Sequence, residues 1–263
     1  MKNIIEIIGS SFKLWWKNFI IVLPFVFNFF LSSVALVLLF LLFFAFLFSK
    51  LSLQDLINLG TLSTQAEIEK FSSLLSEPSF LLGFVIFILI SVFILSFIRA
   101  YFYSGAIAMS SEIVNGRKTN LKTITTNGKK FFWRYWLVQL IINVAIFLWI
   151  FVFSLPLILT KNPSFIILTL VSLIPMVLIY VLFLLAEYYL VIEDLKIWET
   201  FSKSFVIVKR NYWTMLGLGV LVFLMNIVAG IIPFVGFLVS ILIVFPCQTI
   251  AFTIFSIERI YRR

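Results

Sequence analysis

Six long apolar runs constrain this chain more than any other feature of its sequence. A helix that crosses the ~30 Å hydrocarbon core of a bilayer needs about 20 apolar residues. Runs of this kind cover approximately 19–48, 80–108, 135–159, 164–191, 213–231 and 234–257. Proline and glycine around Pro233 predict a tight turn between the last two. Because only helices and closed barrels satisfy their backbone groups in lipid, and these runs lack barrel-type alternation, we predict six membrane-spanning helices.

The composition agrees with this fold class and excludes several kinds of site. Of the 263 residues, 63% are apolar and 12% are charged, against about 45–50% and about 25% in soluble domains. Histidine is absent and Cys247 is the only cysteine. These counts exclude acid–base catalysis by histidine, disulfides within the chain, and metal or haem sites built on His or paired Cys. We therefore predict a single all-α polytopic membrane domain over 1–263, with no cofactor, no metal and no catalytic residues.

The distribution of basic residues predicts the orientation of the spans. Sixteen of the twenty Lys and Arg residues lie in segments that share one side of the membrane, namely 1–18, 109–134, 192–212 and 258–263. By the positive-inside rule we expect both termini to be cytoplasmic, in a multi-pass protein of the cell membrane. The net charge of +9 then belongs to the inner face, where it attracts anionic lipid headgroups. No recognition motif accompanies it, so nucleic acid is not an expected partner.

A short pattern recurs before the odd-numbered spans. Ser11-Phe12 precedes Lys17-Asn18-Phe19 by six residues, and Ser204-Phe205 precedes Arg210-Asn211-Tyr212 by six residues, while 129–136 is a weaker copy. We predict three units, each an amphipathic helix in the inner interface followed by a transmembrane hairpin. The alternative is that basic and aromatic residues simply cluster at most inner membrane boundaries. The cations expected to contact headgroups are Lys13, Lys17, Lys129, Lys130, Arg134, Lys209 and Arg210.

Polar side chains within the spans are the candidate functional residues. We predict that a polar cavity on the inner side is lined by Arg99, Gln139, Asn143, Glu187 and Gln248. Gln139 and Asn143 are four residues apart and share a helix face, and pairing of Arg99 with Glu187 would neutralise both charges. The alternatives are that Arg99 extends to the inner interface and that the amides only form hydrogen bonds between helices.

Other sequence patterns argue against a catalytic role and against ion-coupled transport. The spans contain no mid-span carboxylate, which proton- or sodium-coupled transport would normally use. Gly116-Arg117-Lys118-Thr119 lacks the upstream glycine of a phosphate-binding loop, and Asn115-Gly116 predicts a turn instead. The outer segment 49–79 has helical periodicity and predicts two short amphipathic helices.

Two stretches of the chain resemble a known family. The first, 100–136, contains Tyr103-Ser104-Gly105-Ala106-Ile107-Ala108-Met109 and Asn115-Gly116-Arg117-Lys118-Thr119. The second, 192–214, contains Ile192-Glu193-Asp194 and Lys209-Arg210-Asn211-Tyr212-Trp213. Both resemble a broad family of six-helix prokaryotic and archaeal membrane proteins of unknown function, related to the membrane domain found beside some glycerophosphodiester phosphodiesterases. The resemblance implies a fold and a cytoplasmic-side architecture. It does not imply phosphodiesterase activity, which resides in a separate soluble domain of such proteins.

We therefore expect a non-enzymatic integral membrane protein. The leading interpretation is a scaffold or accessory subunit that engages membrane lipids or a partner protein at the cytoplasmic face. The alternative is a transporter or channel for a lipid or another hydrophobic substrate. A continuous polar cavity would favour the alternative, whereas an interior packed by Phe and Leu would favour the scaffold.

Overall fold

Helices make up the fold, as the sequence predicts. The computed structural model describes residues 3–50, 78–160, 164–231 and 235–260, and this part of the chain contains no strand. The two helices predicted in the outer segment 49–79 fall almost entirely outside the described residues. The helices are α1 (Ile4–Lys17), α2 (Leu23–Lys50), α3 (Pro78–Val114), α4 (Leu121–Thr160), α5 (Phe165–Phe183), α6 (Ala186–Ile192), α7 (Ile197–Arg210), α8 (Tyr212–Gly230), α9 (Val235–Val239) and α10 (Phe245–Ile260). A 3₁₀ turn (Phe19–Val22) leads into α2, and a π-helical segment (Ser240–Val244) joins α9 to α10.

Within the described residues, six helical segments are long and apolar enough to cross a membrane, and we number them spans 1 to 6. They are Phe19–Phe46, Leu82–Val114, Leu121–Leu157, Phe165–Ile192, Tyr212–Gly230 and Val235–Ile260. Large side chains face outward along them, and Leu42 and Leu89 leave 68% and 63% of their surface exposed. Apolar surface on this scale suits contact with lipid. The prediction of an all-α, multi-pass membrane fold is confirmed.

Several spans differ from the predicted bounds. Span 2 continues to Val114, beyond the predicted end at 108. Span 3 has no separate helix before it, because α4 runs unbroken from Leu121 to Thr160. Span 4 is interrupted by a turn at Leu184-Leu185, which separates α5 from α6.

The helices group into two compact units. Unit 1 consists of Met1–Phe27 and Ala100–Arg263, and unit 2 of Asn28–Arg99. Within unit 2, α2 and α3 pack through aromatic rings, and the Phe43 and Phe87 centroids are 4.5 Å apart. Gly83 leaves room for the Phe46 ring, since a Cβ at that position would lie 2.5 Å from it.

The core of unit 1 is built around α6 and α10. Tyr189 and Leu190 of α6 are fully buried. The Tyr188 ring packs against Phe252 of α10, with centroids 5.5 Å apart. Most of α10 is buried as well, since eleven of its sixteen residues are inaccessible to solvent. Apolar and aromatic side chains make up most of this interior, and buried hydroxyl side chains such as Thr253 and Ser256 of α10 lie among them.

The end of α3 and the start of α4 approach each other closely. Asn115-Gly116 forms the predicted turn between them, and Gly116 adopts φ 71°, a conformation that glycine accepts without strain. A Cβ on Gly105 would lie 3.0 Å from the Cα of Ile124, and one on Gly128 would lie 3.0 Å from the carbonyl oxygen of Tyr101. Glycine at both positions thus allows the two backbones to pack in the way that membrane helices favour.

Candidate functional site in the amphipathic layer

Three amphipathic segments of unit 1 form what we call the amphipathic layer: α1, residues 121–134 of α4, and α7. α1 and α7 are each 14 residues long and begin with the same cap. The backbone N–H of Asn3 donates to Glu6 Oε2 at 3.0 Å, and that of Lys196 donates to Glu199 Oε2 at 3.1 Å. In both helices a first-turn glutamate therefore satisfies a backbone donor that the helix start leaves open.

α1 and α7 also end in the same way. The Asn18 amide donates to the Leu14 carbonyl at 2.9 Å, and the Asn211 amide donates to the Ile207 carbonyl at 2.8 Å. The backbone leaves the helical conformation at both asparagines, with φ −132° and −127°. Asparagine competes with the helix by bonding to its own backbone. The central residue of the basic–Asn–aromatic pattern is thus where each amphipathic helix ends.

Residues 121–134 have the same length but form the first part of span 3, with no break from the rest of α4. Tyr135 stands where the other two segments have asparagine, and the helix does not end there. The buried face nevertheless has the same four-residue spacing in each segment, formed by Ile7 and Ser11, by Ile124 and Gly128, and by Thr200 and Ser204.

α1 is attached to span 6 at a carbonyl that proline leaves open. The Trp15 indole Nε1–H donates to the carbonyl oxygen of Leu242 at 2.9 Å. In a regular helix that carbonyl would accept from residue 246, but Pro246 has no N–H. The π-helical segment lies at this point, and a side chain from a neighbouring helix replaces the missing donor.

The other two segments are attached to the ends of spans 4 and 2. The Ser204 hydroxyl of α7 donates to the Leu182 carbonyl at 2.8 Å, in the last turn of α5, where helix carbonyls lack a donor of their own. The Thr123 hydroxyl of α4 donates to the Glu112 carboxylate of α3 at 3.1 Å. Each segment thus packs on the C-terminal part of an even-numbered span.

The cations predicted to contact headgroups lie on the outer faces of this layer. Arg134 is partly buried, and the exposed ones are Lys13, Lys17, Lys129, Lys130, Lys209 and Arg210. Four exposed tryptophans accompany them, namely Trp16, Trp133, Trp198 and Trp213. The layer therefore combines a buried apolar face with an exposed basic and aromatic face, the combination that amphipathic helices at membrane interfaces use.

The predicted cavity residues of unit 1 lie in different environments. The Tyr135 hydroxyl donates to Glu187 Oε2 at 2.5 Å. Gln139 is buried one turn further along α4, whereas Asn143 is exposed although it is four residues away. Gln248 is partly buried on α10.

Arg99 is the remaining member of the predicted cavity. It is an exposed residue of unit 2, whereas Glu187 belongs to unit 1. The pairing of Arg99 with Glu187 therefore stays a prediction.

Ion pairs join the start of span 3 to the segment between α6 and α7. Asp194 bridges two cations of α4, with its carboxylate 2.7 Å from Lys130 Nζ and 2.6 Å from an Arg134 guanidinium nitrogen. Arg134 also donates to the Leu195 carbonyl at 3.3 Å. The Lys203 ammonium pairs with Glu193. These contacts hold α4 and the start of α7 together.

The environment of Asp194 keeps it ionised. The hydrogen bond from Lys130 is the main cause that lowers the pKa of Asp194 below its ordinary 3.8, and Arg134 lowers this pKa further. The contribution of these ion pairs to the stability of the fold is fully present above pH 3.8 and is lost as the pH falls through the lowered pKa of Asp194. Asp194 also has a positive φ of 55°, which aspartate tolerates better than most residues.

Two apolar grooves lie beneath the amphipathic layer. One, of about 320 Å³, lies between α4 and α5 and is bordered at one end by Trp198 and Phe201 of α7. The other, of about 430 Å³, lies between α8 and the α9–π-helical segment and is bordered by Phe12 of α1. Ligand pockets in proteins have similar volumes and mostly apolar walls. The grooves can accommodate hydrocarbon and offer almost no polar surface.

Sequence reasoning missed the residues whose partners are distant in the chain. Tyr135 was not assigned a role, and the bridge formed by Asp194 spans 60 residues to Arg134. One signal was available for the attachment of α1, because Pro246 in an apolar run implies an open carbonyl four residues earlier. Nothing in the sequence indicates that Trp15 supplies the donor.

One family model matches the chain. The match covers residues 89–259, well over half of the sequence, from the middle of span 2 to the end of span 6, and the family is described as a domain of unknown function, DUF7847. No curated protein and no solved structure matches the chain. The chain therefore belongs to the DUF7847 family, and its fold is all-α with six candidate spans.

Proposed function

We propose that the protein is a non-enzymatic membrane scaffold or accessory subunit whose amphipathic layer engages the anionic headgroups of the cytoplasmic leaflet. The observation that carries this proposal is the shared build of the three segments. Each packs a small or apolar face on an even-numbered span and presents Lys and Trp on the other face, with Arg210 added in α7. The basic residues and the tryptophans suit the boundary between headgroups and acyl chains.

The proposed orientation of the protein in the membrane follows from the distribution of its basic residues. With sixteen of the twenty basic residues on one side, the positive-inside rule assigns the layer and both termini to the cytoplasm. A partner protein at the same face is the second part of the proposal. The mixed charges and exposed Trp198 of the 193–213 stretch support a docking role there.

Neutralising four exposed cations of α1 and α7 tests the lipid part of the proposal. We expect the wild type to unfold at a higher temperature in phosphatidylglycerol vesicles than in phosphatidylcholine vesicles. The variant Lys13→Gln/Lys17→Gln/Lys209→Gln/Arg210→Gln should lose most of this difference, since each cation contributes about 1 kcal/mol at an anionic surface. Thermal unfolding followed by circular dichroism measures it.

The matched control keeps the charges at the same four positions. Lys13→Arg/Lys17→Arg/Lys209→Arg/Arg210→Lys should retain the difference between the two lipids, and raised salt should reduce it in the wild type. An undiminished difference in the glutamine variant would contradict the proposal.

The alternative function is a transporter for a lipid or another hydrophobic substrate. The apolar grooves beneath the layer favour it, whereas the separate environments of Gln139 and Asn143 do not. Reconstitution with a fluorescent phospholipid separates the two functions. Accelerated exchange of that lipid between leaflets supports transport, and an unchanged rate supports the scaffold.

We also propose a relationship to the membrane domain found beside some glycerophosphodiester phosphodiesterases. The motifs within 100–136 and 192–214 support it. Both stretches lie inside the family match and contribute to the amphipathic layer. The proposal concerns the membrane fold and not the phosphodiesterase activity.

A further inference from the structure

We propose that the groove between α4 and α5 holds one hydrocarbon chain of an anionic membrane lipid whose headgroup lies on Lys130 and Arg134. This inference rests on the proposed function only in placing the amphipathic layer at headgroup level. It adds a defined site, with one lipid per chain, to the general attraction of a basic surface.

The walls of the groove select hydrocarbon. They consist of apolar and aromatic side chains of α4, α5 and α7, and the polar surface they offer is negligible. The Trp149 indole Nε1–H lies at the far end of the groove and already donates to the Ser172 carbonyl at 3.0 Å. A polar ligand would find few partners along these walls, whereas an acyl chain needs none.

The dimensions and direction of the groove fit a lipid chain. Its α4 wall runs from Ile141 to Trp149, a length of about 12 Å at the helical rise of 1.5 Å per residue. Trp198 and Phe201 border the end nearest the layer, so the groove extends from that level along spans 3 and 4. A chain that enters beside α7 therefore lies parallel to its neighbours in the bilayer.

Two basic residues lie on the face of α4 that lines this groove, about two and three helical turns before it. Arg134 precedes Ile141 by seven residues, which is two helical turns and nearly the same face of α4. Lys130 lies one turn further out on that face and shares the Asp194 carboxylate with Arg134. Two cations bridged by one carboxylate leave a surplus positive charge for a phosphate.

The other charges near the opening do not remove this surplus. Lys196 and Glu199 stand at the start of α7 and contribute one charge of each sign. Lys203 and Glu193 form a balanced pair. Because the surplus charge adjoins a groove for hydrocarbon, the two parts match the head and the chain of one anionic lipid.

The test compares two phenylalanine substitutions in one turn of α4. Both Ala145 and its neighbour Val144 are exposed, but only Ala145 lines the groove. The proteins are reconstituted in nanodiscs of equal parts phosphatidylglycerol and phosphatidylcholine, released gently, and examined by native mass spectrometry. We expect the wild type and Val144→Phe to retain one phosphatidylglycerol, and Ala145→Phe to retain at least about tenfold less, since it overfills the groove.

Headgroup variants test the other half of the site without filling the groove. Lys130→Gln should lower retention of phosphatidylglycerol, and its neighbour Lys129→Gln should not. Asp194→Asn should raise retention, because it removes the competing carboxylate while asparagine keeps the tolerance for positive φ. Equal retention in Lys130→Gln and Lys129→Gln, equal retention in Ala145→Phe and Val144→Phe, or a wild type with no defined lipid would each overturn the inference.

The two proposals fail separately. Loss of the defined lipid in Ala145→Phe leaves the vesicle result for the cations of α1 and α7 unchanged. Conversely, a glutamine variant of α1 and α7 that still distinguishes the two vesicle types contradicts the proposed function but not the site on α4.

Discussion

Replacing Gly236 with alanine is expected to destabilise the protein more than the same replacement at any other described glycine. A Cβ at this position would lie 1.6 Å from the carbonyl oxygen of Ala229, which is backbone and not a flexible side chain. α8 and α9 must therefore move apart where Gly236 meets Ala229; the tight turn predicted around Pro233 lies outside the described residues. We expect a loss of roughly 3 kcal/mol, at the upper end of the usual cost of overpacking. Thermal unfolding in detergent micelles measures it.

Gly219 provides the matched control within the same hairpin. A Cβ at Gly219 would have no heavy atom within 4 Å, and alanine is favoured over glycine inside a helix by about 1 kcal/mol. Gly219→Ala should therefore leave the stability unchanged or raise it. Equal unfolding temperatures for the two alanine variants would contradict the close approach of Gly236 to Ala229.

The hydrogen bond between Tyr135 and Glu187 is expected to have the second largest effect. The tyrosine is fully buried and its hydroxyl donates to the carboxylate at 2.5 Å. A hydrogen bond to a charged group contributes about 1.5–3 kcal/mol. Tyr135→Phe should cost this much, and a double-mutant cycle with Glu187→Gln should reveal a coupling of about 1–3 kcal/mol. Equilibrium unfolding of the four proteins measures the coupling.

Tyr212 offers a comparison with a neutral acceptor. Its hydroxyl donates to the Leu178 carbonyl at 3.1 Å, and a neutral hydrogen bond contributes only about 0.5–1.5 kcal/mol. Tyr212→Phe should therefore cost less than Tyr135→Phe. Strictly additive effects of Tyr135→Phe and Glu187→Gln would show that the two side chains do not act together.

The spans could be predicted from the sequence because their requirement is simple. A run of about 20 apolar residues is sufficient to propose a transmembrane helix, and a candidate membrane-spanning segment covers most of each of the six runs. The turn at Asn115-Gly116 was also predicted, since asparagine and glycine favour turns through local interactions. Local chemistry determined these features.

Features that depend on packing could not be predicted. Leu184-Leu185 contains neither proline nor glycine, yet the helix breaks there. Gln139 and Asn143 satisfy the spacing rule for one helix face, but neighbouring helices cover only the first. The Arg134–Asp194 bridge joins residues 60 positions apart, and no periodicity reports such a pair.

The same distinction explains the third amphipathic segment. The basic–aromatic pattern in 129–136 predicts a separate interfacial helix, but the chain has Tyr135 where α1 and α7 are followed by asparagine. The helix therefore does not end there, and α4 forms the amphipathic segment and the rest of span 3 as a single element. The buried face, with Ile124 and Gly128, is still formed, because it depends on packing against α3 and not on a break.

The central claim is that the three segments of the amphipathic layer lie together at the cytoplasmic surface. Single cysteines at the exposed positions Lys13, Lys129 and Lys209, in a Cys247→Ala background, test it by reaction with a membrane-impermeant maleimide. The account predicts that all three react in inverted vesicles and that none reacts in right-side-out vesicles. Reaction of any one of them from the outer side would contradict the proposed orientation, and a division among the three would contradict a common layer.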